Sequence, residues 1–424
     1  MYQVEGGNRL LQTGRRILSH RHAVSANVVF LGLTSLFTDI SSEIVTGVLP
    51  LYVLTIAHLS PMAFGVVDGL YLGAASLIRL PGGLLADWSR RYKGVAVAGY
   101  TLSMLSRAGL LAFGSSLGWL LGVVVTDRIG KGIRSDSRDA MISFSTPPAE
   151  LATAFGVHRA LDTTGAMLGP LIAFGVLMIA PHAYDAVFAI SLCAALIGLG
   201  ILVLFVEDRR APGAAANPSP VVSMAGLLQL ARSAHVRQLI VAAGALNLTT
   251  ISDAFLYLTL QRRLDFAVGF FPLLYVGTSA AYMMLALPVG LLADRIGRGR
   301  VFMGSYLLLL AAYSSLLLPP AGGAAVVGYV VLLGAYYAGT DGVLMALASA
   351  RLPEHQRATG MALLMTVTSL ARLTASILFG WLWTWRGVEV AVVTFGSGLA
   401  AAIIVTWLFL ERSPDTRHEV LATS

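Results

Sequence analysis

The stretch Leu80-Pro-Gly-Gly-Leu-Leu-Ala-Asp87 returns 207 positions later as Leu287-Pro-Val-Gly-Leu-Leu-Ala-Asp294, with seven of eight residues identical. Each copy closes a long apolar run and leads into basic residues, Arg90, Arg91 and Lys93 in the first and Arg295, Arg298 and Arg300 in the second. A duplication of this kind confines the chain to two versions of one half. Gly83 and Gly290 let backbones approach where a membrane helix ends, and the carboxylate four residues on can accept bonds from a neighbouring helix N-terminus.

Hydrophobic residues make up 56% of the chain and charged ones 12%, with a mean hydropathy of +0.76. Soluble globular domains carry roughly twice that charged fraction, so the chain reads as an all-α integral membrane protein. Twelve apolar runs are each long enough to span a bilayer, which takes about 20 residues. Six fall near 27–56, 61–86, 94–114, 117–141, 151–180 and 185–206. Six more fall near 237–260, 270–293, 301–319, 324–349, 357–384 and 388–410. The expected organisation is a tail over 1–26, a six-helix bundle over 27–206, a linker over 207–236, a second bundle over 237–411 and a tail over 412–424. The linker passes through Ala-Pro-Gly-Ala-Ala-Ala-Asn-Pro-Ser-Pro, a composition that cannot bury a core, although Val222 to Ala231 could lie along the membrane surface as a short amphipathic helix.

Orientation follows from charge. Of the 29 lysines and arginines, 18 fall in the tails and in the loops on the termini's side, against 3 on the opposite side. Positive charge is retained in the cytoplasm, so both termini are expected inside, and residues 1–26 read as a cytoplasmic tail rather than a cleaved signal. The net charge of +7 has the same origin and calls for no nucleic acid. The single cysteine, Cys193, permits no internal disulfide.

An ionisable side chain at mid-membrane costs about 2.5–3.5 kcal/mol even on the insertion scale, so each needs a partner, a watery cavity or a function. Asp39 and Glu43 are four apart, on one face of the first helix. Two carboxylates that close repel when both are ionised, which suits a site that takes up and releases protons; a purely structural pairing with a base on the fourth helix is the alternative. The fourth run, Thr126-Asp-Arg-Ile-Gly-Lys-Gly-Ile-Arg-Ser-Asp-Ser-Arg-Asp139, places Asp127, Arg128, Lys131, Arg134, Ser135 and Arg138 on one broad face over roughly 15 Å of axis. Such a stripe is untenable against lipid and must face the interior. In the fifth run His158 and Asp162 share a face and could relay protons, with Arg159 between them; an imidazole capping a buried aspartate is the alternative. In the second half Asp253 mirrors Asp39 as a protonatable or substrate-binding position, and Asp341 with Arg372 reads as a buried pair. Tyr257, Tyr275, Tyr282, Tyr336, Tyr337 and Trp381 could line a cavity, with packing the alternative. Asp68 is a candidate for a gate near the outer end of the second helix.

Gly290-x-x-x-Asp294-x-x-Gly297-Arg298-x-Arg300 resembles the loop signature of the major facilitator superfamily, the twelve-helix secondary transporters; the first copy departs from it with Arg90 where the second has Gly297. Arg128-x-x-Lys131-Gly132 resembles that family's Arg-x-x-Gln-Gly signature, with lysine for glutamine. Gly165-Ala-Met-Leu-Gly169-Pro170 resembles its Gly-x-x-x-Gly-Pro antiporter motif, although Ile172-Ala173 replaces the glycine pair that often follows. The runs Asp127 to Arg134 and Phe155 to Asp162 also resemble a poorly described prokaryotic branch. The resemblance covers residues 27–410 and implies two parallel six-helix halves with a substrate site between them.

It further implies proton-coupled export of a small organic molecule by alternating access at a prokaryotic inner membrane. Asp39, Glu43, Arg128, Asp162 and Asp253 would couple protons. Arg128, Lys131, Arg134, His158, Arg159, Tyr257 and Arg372 would contact substrate. Gly83, Asp87, Arg91, Gly165, Gly169, Pro170, Gly290, Asp294 and Arg298 would form the moving gates. Uptake of an anionic solute or a siderophore, with the fourth-helix cations as counter-charge, is the second reading, and a non-transporting sensor or scaffold the third. The expected partners are a small molecule, protons and lipid, with the chain acting as a monomer. No P-loop lysine motif, metal-ligand cluster or nucleophile triad is legible in the sequence, so no cofactor and no enzymatic activity are expected.

Overall fold

A computed structural model describes residues 25–89, 91–112, 116–147, 150–208, 234–318, 322–351 and 357–411. Most of both tails and of the linker, including Val222 to Ala231, lies outside them, as do Arg90 and the side chains of Gly83 and Asp87 in the last turns of the second helix. The helices are α1 Ala26–Leu51, α2 Pro61–Ser89, α3 Tyr92–Ala112, α4 Leu117–Phe144, α5 Leu151–Ile179 and α6 Tyr184–Phe205. After the linker come α7 Ala234–Leu248, α8 Asp253–Leu264, α9 Phe271–Ile296, α10 Arg298–Ser315, α11 Gly323–Arg351, α12 Arg357–Arg386 and α13 Val388–Glu411. No strand occurs among the described residues.

Ten of the described spans are long and apolar enough to cross a membrane on length and composition alone. The two that complete twelve are α4, whose charges disqualify it on composition, and α10, which has 18 residues and begins Arg298-Gly-Arg300. The seventh run differs from the expected continuous helix: it is broken into α7 and α8 by Thr249 to Ser252. Thr249 and Thr250 donate their hydroxyls back to the Leu246 carbonyl, the Tyr313 hydroxyl accepts from the Ile251 amide at 2.7 Å, and Ser252 caps α8. Side chains thus satisfy the backbone groups that the break frees, which is what permits irregular backbone at membrane depth.

In the first half α1 packs on α5 and α6, and α4 on α2 and α3; in the second, α11 packs on α9 and α10, and α12 on α7 and α13. Lipid supplies no hydrophobic drive between helices, so close approach has to come from small residues. At Gly169 an added Cβ would stand 2.8 Å from the Ile40 carbonyl oxygen, so this glycine is what lets α5 lie directly against α1.

The halves meet through α2 with α12, and through α1 and α5 with α9. These contacts concentrate at the end opposite the chain termini. There the Met62 amide donates to Thr384 Oγ1 at 2.9 Å, Phe174 meets Phe270 with ring centroids 5.7 Å apart, and Gly47 sits against Pro170 and Pro272. Between described residues, no hydrogen bond, ion pair or ring contact joins the halves at the terminal end, the innermost such contact being Ser76 to Ser369 at 2.8 Å. The molecule is therefore closed at the far end and open at the terminal end.

The far closure depends on glycine. A Cβ on Gly65 would lie 2.6 Å from the Ser376 carbonyl oxygen of α12. A Gly65→Val chain is expected to fold but to be unable to close this end, and a cysteine placed on α12 beside Ser376 should become reactive to an impermeant maleimide in Gly65→Val while staying protected in the parent.

Candidate functional site

The open end leads to charges contributed mainly by α1, α4 and α5. Close packing of α1 on α5 brings the Asp39 side chain into hydrogen-bonding contact with the Asp162 side chain. Two carboxyl groups so placed are able to share a proton, the protonated one donating to the other. Asp162 thus takes the place expected of Glu43 as the close partner of Asp39, and both Asp39 and Glu43 stand in the field of Lys131 on α4. Asp39, Glu43, Lys131 and Asp162 are all half-buried. Arg159 reaches Asp162 at 3.6 Å with its side chain 80% exposed, and its field extends across the opening to Tyr282 and Asp341 of the second half.

The α4 stripe faces inward, as lipid exclusion requires, but most of its cations are already satisfied. Arg128 is 3% exposed, ion-paired to Asp127, and stacked 3.8 Å over the Tyr71 ring of α2. Arg107 of α3 holds the other Asp127 oxygen at 2.9 Å and donates to Ser41 and Ser42, two of the three residues between Asp39 and Glu43. Arg134 donates to Ser103 at 2.7 Å and lies over Tyr100. Arg138 pairs with Asp139 at 3.0 Å and reaches Asp162 at 3.7 Å. Lys131 makes no ion pair within 4 Å to any described residue. His158 is 4% exposed and hydrogen-bonded to Ser35 at 2.9 Å, which places it in the wall rather than on its surface.

In the second half the aromatic expectations divide. Tyr257 is fully buried, its hydroxyl donating to Thr278 at 2.7 Å and its ring against Tyr275 and Phe271; Tyr336 is buried beside Tyr306. Neither lines an open space, because these rings fill the core of the half. Trp381 is exposed and stacks on Trp385. Tyr275, Tyr282 and Tyr337 are half-buried. The Asp341–Arg372 pair does not form: Asp341 is exposed, and the Arg372 Nε donates to Asn247 Oδ1 at 2.8 Å. Asp253 accepts from the Tyr337 hydroxyl at 2.5 Å. Asp68 of α2 is buried at the far closure, accepting from Ser376 at 2.6 Å.

Around the repeated motif, Gly290, Asp294 and Arg298 border a cavity of about 370 Å³ between α9 and α11, together with Tyr282 and Val343. Asp294 and Arg298 pair with each other at 3.1 Å, both largely exposed. Arg91 is exposed at the head of α3. Glycines Gly165 and Gly169 with Pro170 lie on the α5 face against α1.

The model of the major facilitator superfamily matches residues 31–277 and 239–423, which together take in nearly the whole chain. The chain belongs to the major facilitator superfamily. Among relatives of this superfamily protein, an uncharacterised MFS-type transporter of Methanocaldococcus jannaschii is 30% identical over 369 residues, 85% of this chain and 89% of that one. An uncharacterised protein of Mycobacterium tuberculosis is 33% identical over 202 residues, 46% of this chain and 48% of that one. Among solved structures, the nucleoside transporter NupG superposes with a TM-score of 0.78 at 14% identity, over 92% of this chain and 100% of that one. A POT family transporter in complex with 5-aminolevulinic acid gives 0.75 at 14% identity, over 92% and 96%. These likenesses establish a multi-pass membrane transporter of alternating-access fold.

Proposed function

We propose that the chain is a proton-coupled exporter of a small organic molecule, working as a monomer in a prokaryotic cytoplasmic membrane with both termini inside. The observation that carries this reading is the Asp39–Asp162 carboxyl pair beside Lys131, half-buried in the wall of the open end. A proton held between two carboxyl groups in the field of a nearby ammonium group is released or regained as the surroundings change, and the change of access between the two sides supplies that change of surroundings. Antiport is supported by Gly165 and Gly169, the residues that resemble the family's antiporter motif, which bring α5 directly against α1.

The two six-helix halves, 27–206 and 237–411, rock about the α2–α12 and α5–α9 contacts, joined by the 207–236 linker. The Asp87 and Asp294 motifs latch the terminal end when it closes. In the open form Asp294 meets only Arg298, at the start of the following helix, among the described residues, and an exposed pair of this kind contributes little to stability. Asp294→Asn is accordingly expected to leave the melting temperature within about a degree of the parent while slowing turnover severalfold, as read from melting curves and transport rates on one preparation.

The coupling is tested in proteoliposomes with a trapped pH-sensitive dye. Addition of a transported compound on one side should move protons in the opposite sense, and compound movement with no proton movement would exclude antiport.

A further inference from the structure

We propose that Arg372 is the anion-recognition residue of the central cavity and that the transported molecule carries a carboxylate or phosphate-type oxyanion. This rests on the transporter reading given above and specifies its substrate class. An arginine at membrane depth needs a compensating partner. Those of α3 and α4 have theirs: Arg107 and Arg128 share Asp127, Arg138 has Asp139, and Arg134 has Ser103 and the Tyr100 ring. Lys131 stands beside Asp39 and Glu43, and Arg159 beside Asp162.

Arg372 is different. Its Nε is fixed by Asn247, a residue 3% exposed, so the guanidinium plane is oriented from behind. Its Nη1 and Nη2 have no hydrogen-bond or ion-pair partner among the described residues, and neither is sealed from solvent. Asp253, whose Oδ1 accepts from the Tyr337 hydroxyl, and Asp341 both lie in its field, but neither comes within 4 Å of the guanidinium. What remains is the outer edge of a planar fork on a half-buried side chain, held from behind and close to Tyr337. Two parallel N–H groups of that geometry match the two oxygens of a carboxylate or phosphate. The tyrosine flank favours a flat or aromatic body behind the anion. The anion-binding role expected of α4 thus falls to the second half of the molecule.

The test is thermal-shift binding on purified full-length protein with two matched sets of probes: benzoate, benzylamine and benzyl alcohol, and indole-3-acetate, tryptamine and tryptophol. At least one acid should stabilise the parent saturably while its amine and alcohol do not, and Arg372→Gln should weaken that acid about tenfold to a hundredfold, the range of a charge-assisted hydrogen-bonded pair. Asn247→Ala, which keeps the charge and removes its support, should weaken the acid severalfold, and it carries the test if Arg372→Gln does not fold. Failure of both acids to bind, a preference for the amines, or acid binding unchanged in these variants would overturn the proposal. Proton movement driven by a transported compound in the dye assay, with no acid binding in the parent, would overturn the anion proposal and leave the transporter reading standing, so the two are read separately.

Discussion

Asp39→Asn is expected to abolish accumulation of substrate against its gradient while leaving exchange at equal concentrations intact. The asparagine amide can still donate to Asp162 and preserve the α1–α5 contact, so packing survives. What it cannot do is gain and lose a proton. The driving force then disappears altogether rather than in part, since a proton moving down a potential supplies about 2.3 kcal/mol per 100 mV only if it is carried. A gradient of that size sustains roughly a fiftyfold concentration ratio, and the ratio in Asp39→Asn vesicles should fall to one. Counterflow of labelled compound measures the first property and imposed-gradient uptake the second. Uphill transport at parental levels in Asp39→Asn would remove the carboxyl pair from the coupling mechanism.

The largest effect on stability is expected at Asp127. This carboxylate is 2% exposed and lies between Arg107 and Arg128, each of which is 3% exposed. Asp127→Asn leaves two guanidinium groups buried together without their counter-charge, a change that costs about 3–5 kcal/mol in comparable buried pairs. Thermal melting and the yield of monodisperse protein should both drop sharply. The double variant Asp127→Asn, Arg107→Gln removes one of the stranded charges and should recover part of the loss, so the two changes are non-additive. Additive losses would mean that each residue is held by something other than the other. Because Arg107 also holds Ser41 and Ser42, the surviving fraction of Asp127→Asn protein should show altered coupling as well as lower stability.

The membrane class, the span count, the duplication and the family were legible in the order of residues. Each is a property of local composition or of short spacings: an apolar run of 20 residues has few fates other than a membrane helix, and Gly-x-x-x-Asp with trailing arginines keeps its meaning wherever the chain turns at a membrane face. The inward placement of the α4 stripe could likewise be read from helical geometry, since lipid excludes it. The break in the seventh run was not legible. Thr249 and Thr250 look like ordinary helix residues until Tyr313, more than sixty positions away, supplies its hydroxyl to the Ile251 amide.

The site shows the same division more sharply. Sequence alone supplied which side chains are ionisable and which helix face each occupies, because charge and the 3.6-residue repeat are written in the chain. Tertiary structure decided which of them meet. Asp39 found Asp162 rather than Glu43, Arg128 was closed off by Asp127 and Tyr71, Tyr257 sank into the core, and Arg372 was left with a free edge because its support came from Asn247 instead of Asp341. Apart from neighbours such as Asp127 and Arg128, these contacts act over about 3 Å between residues tens to hundreds of positions apart, so their pairing is set by how helices pack and not by the order in which the residues occur.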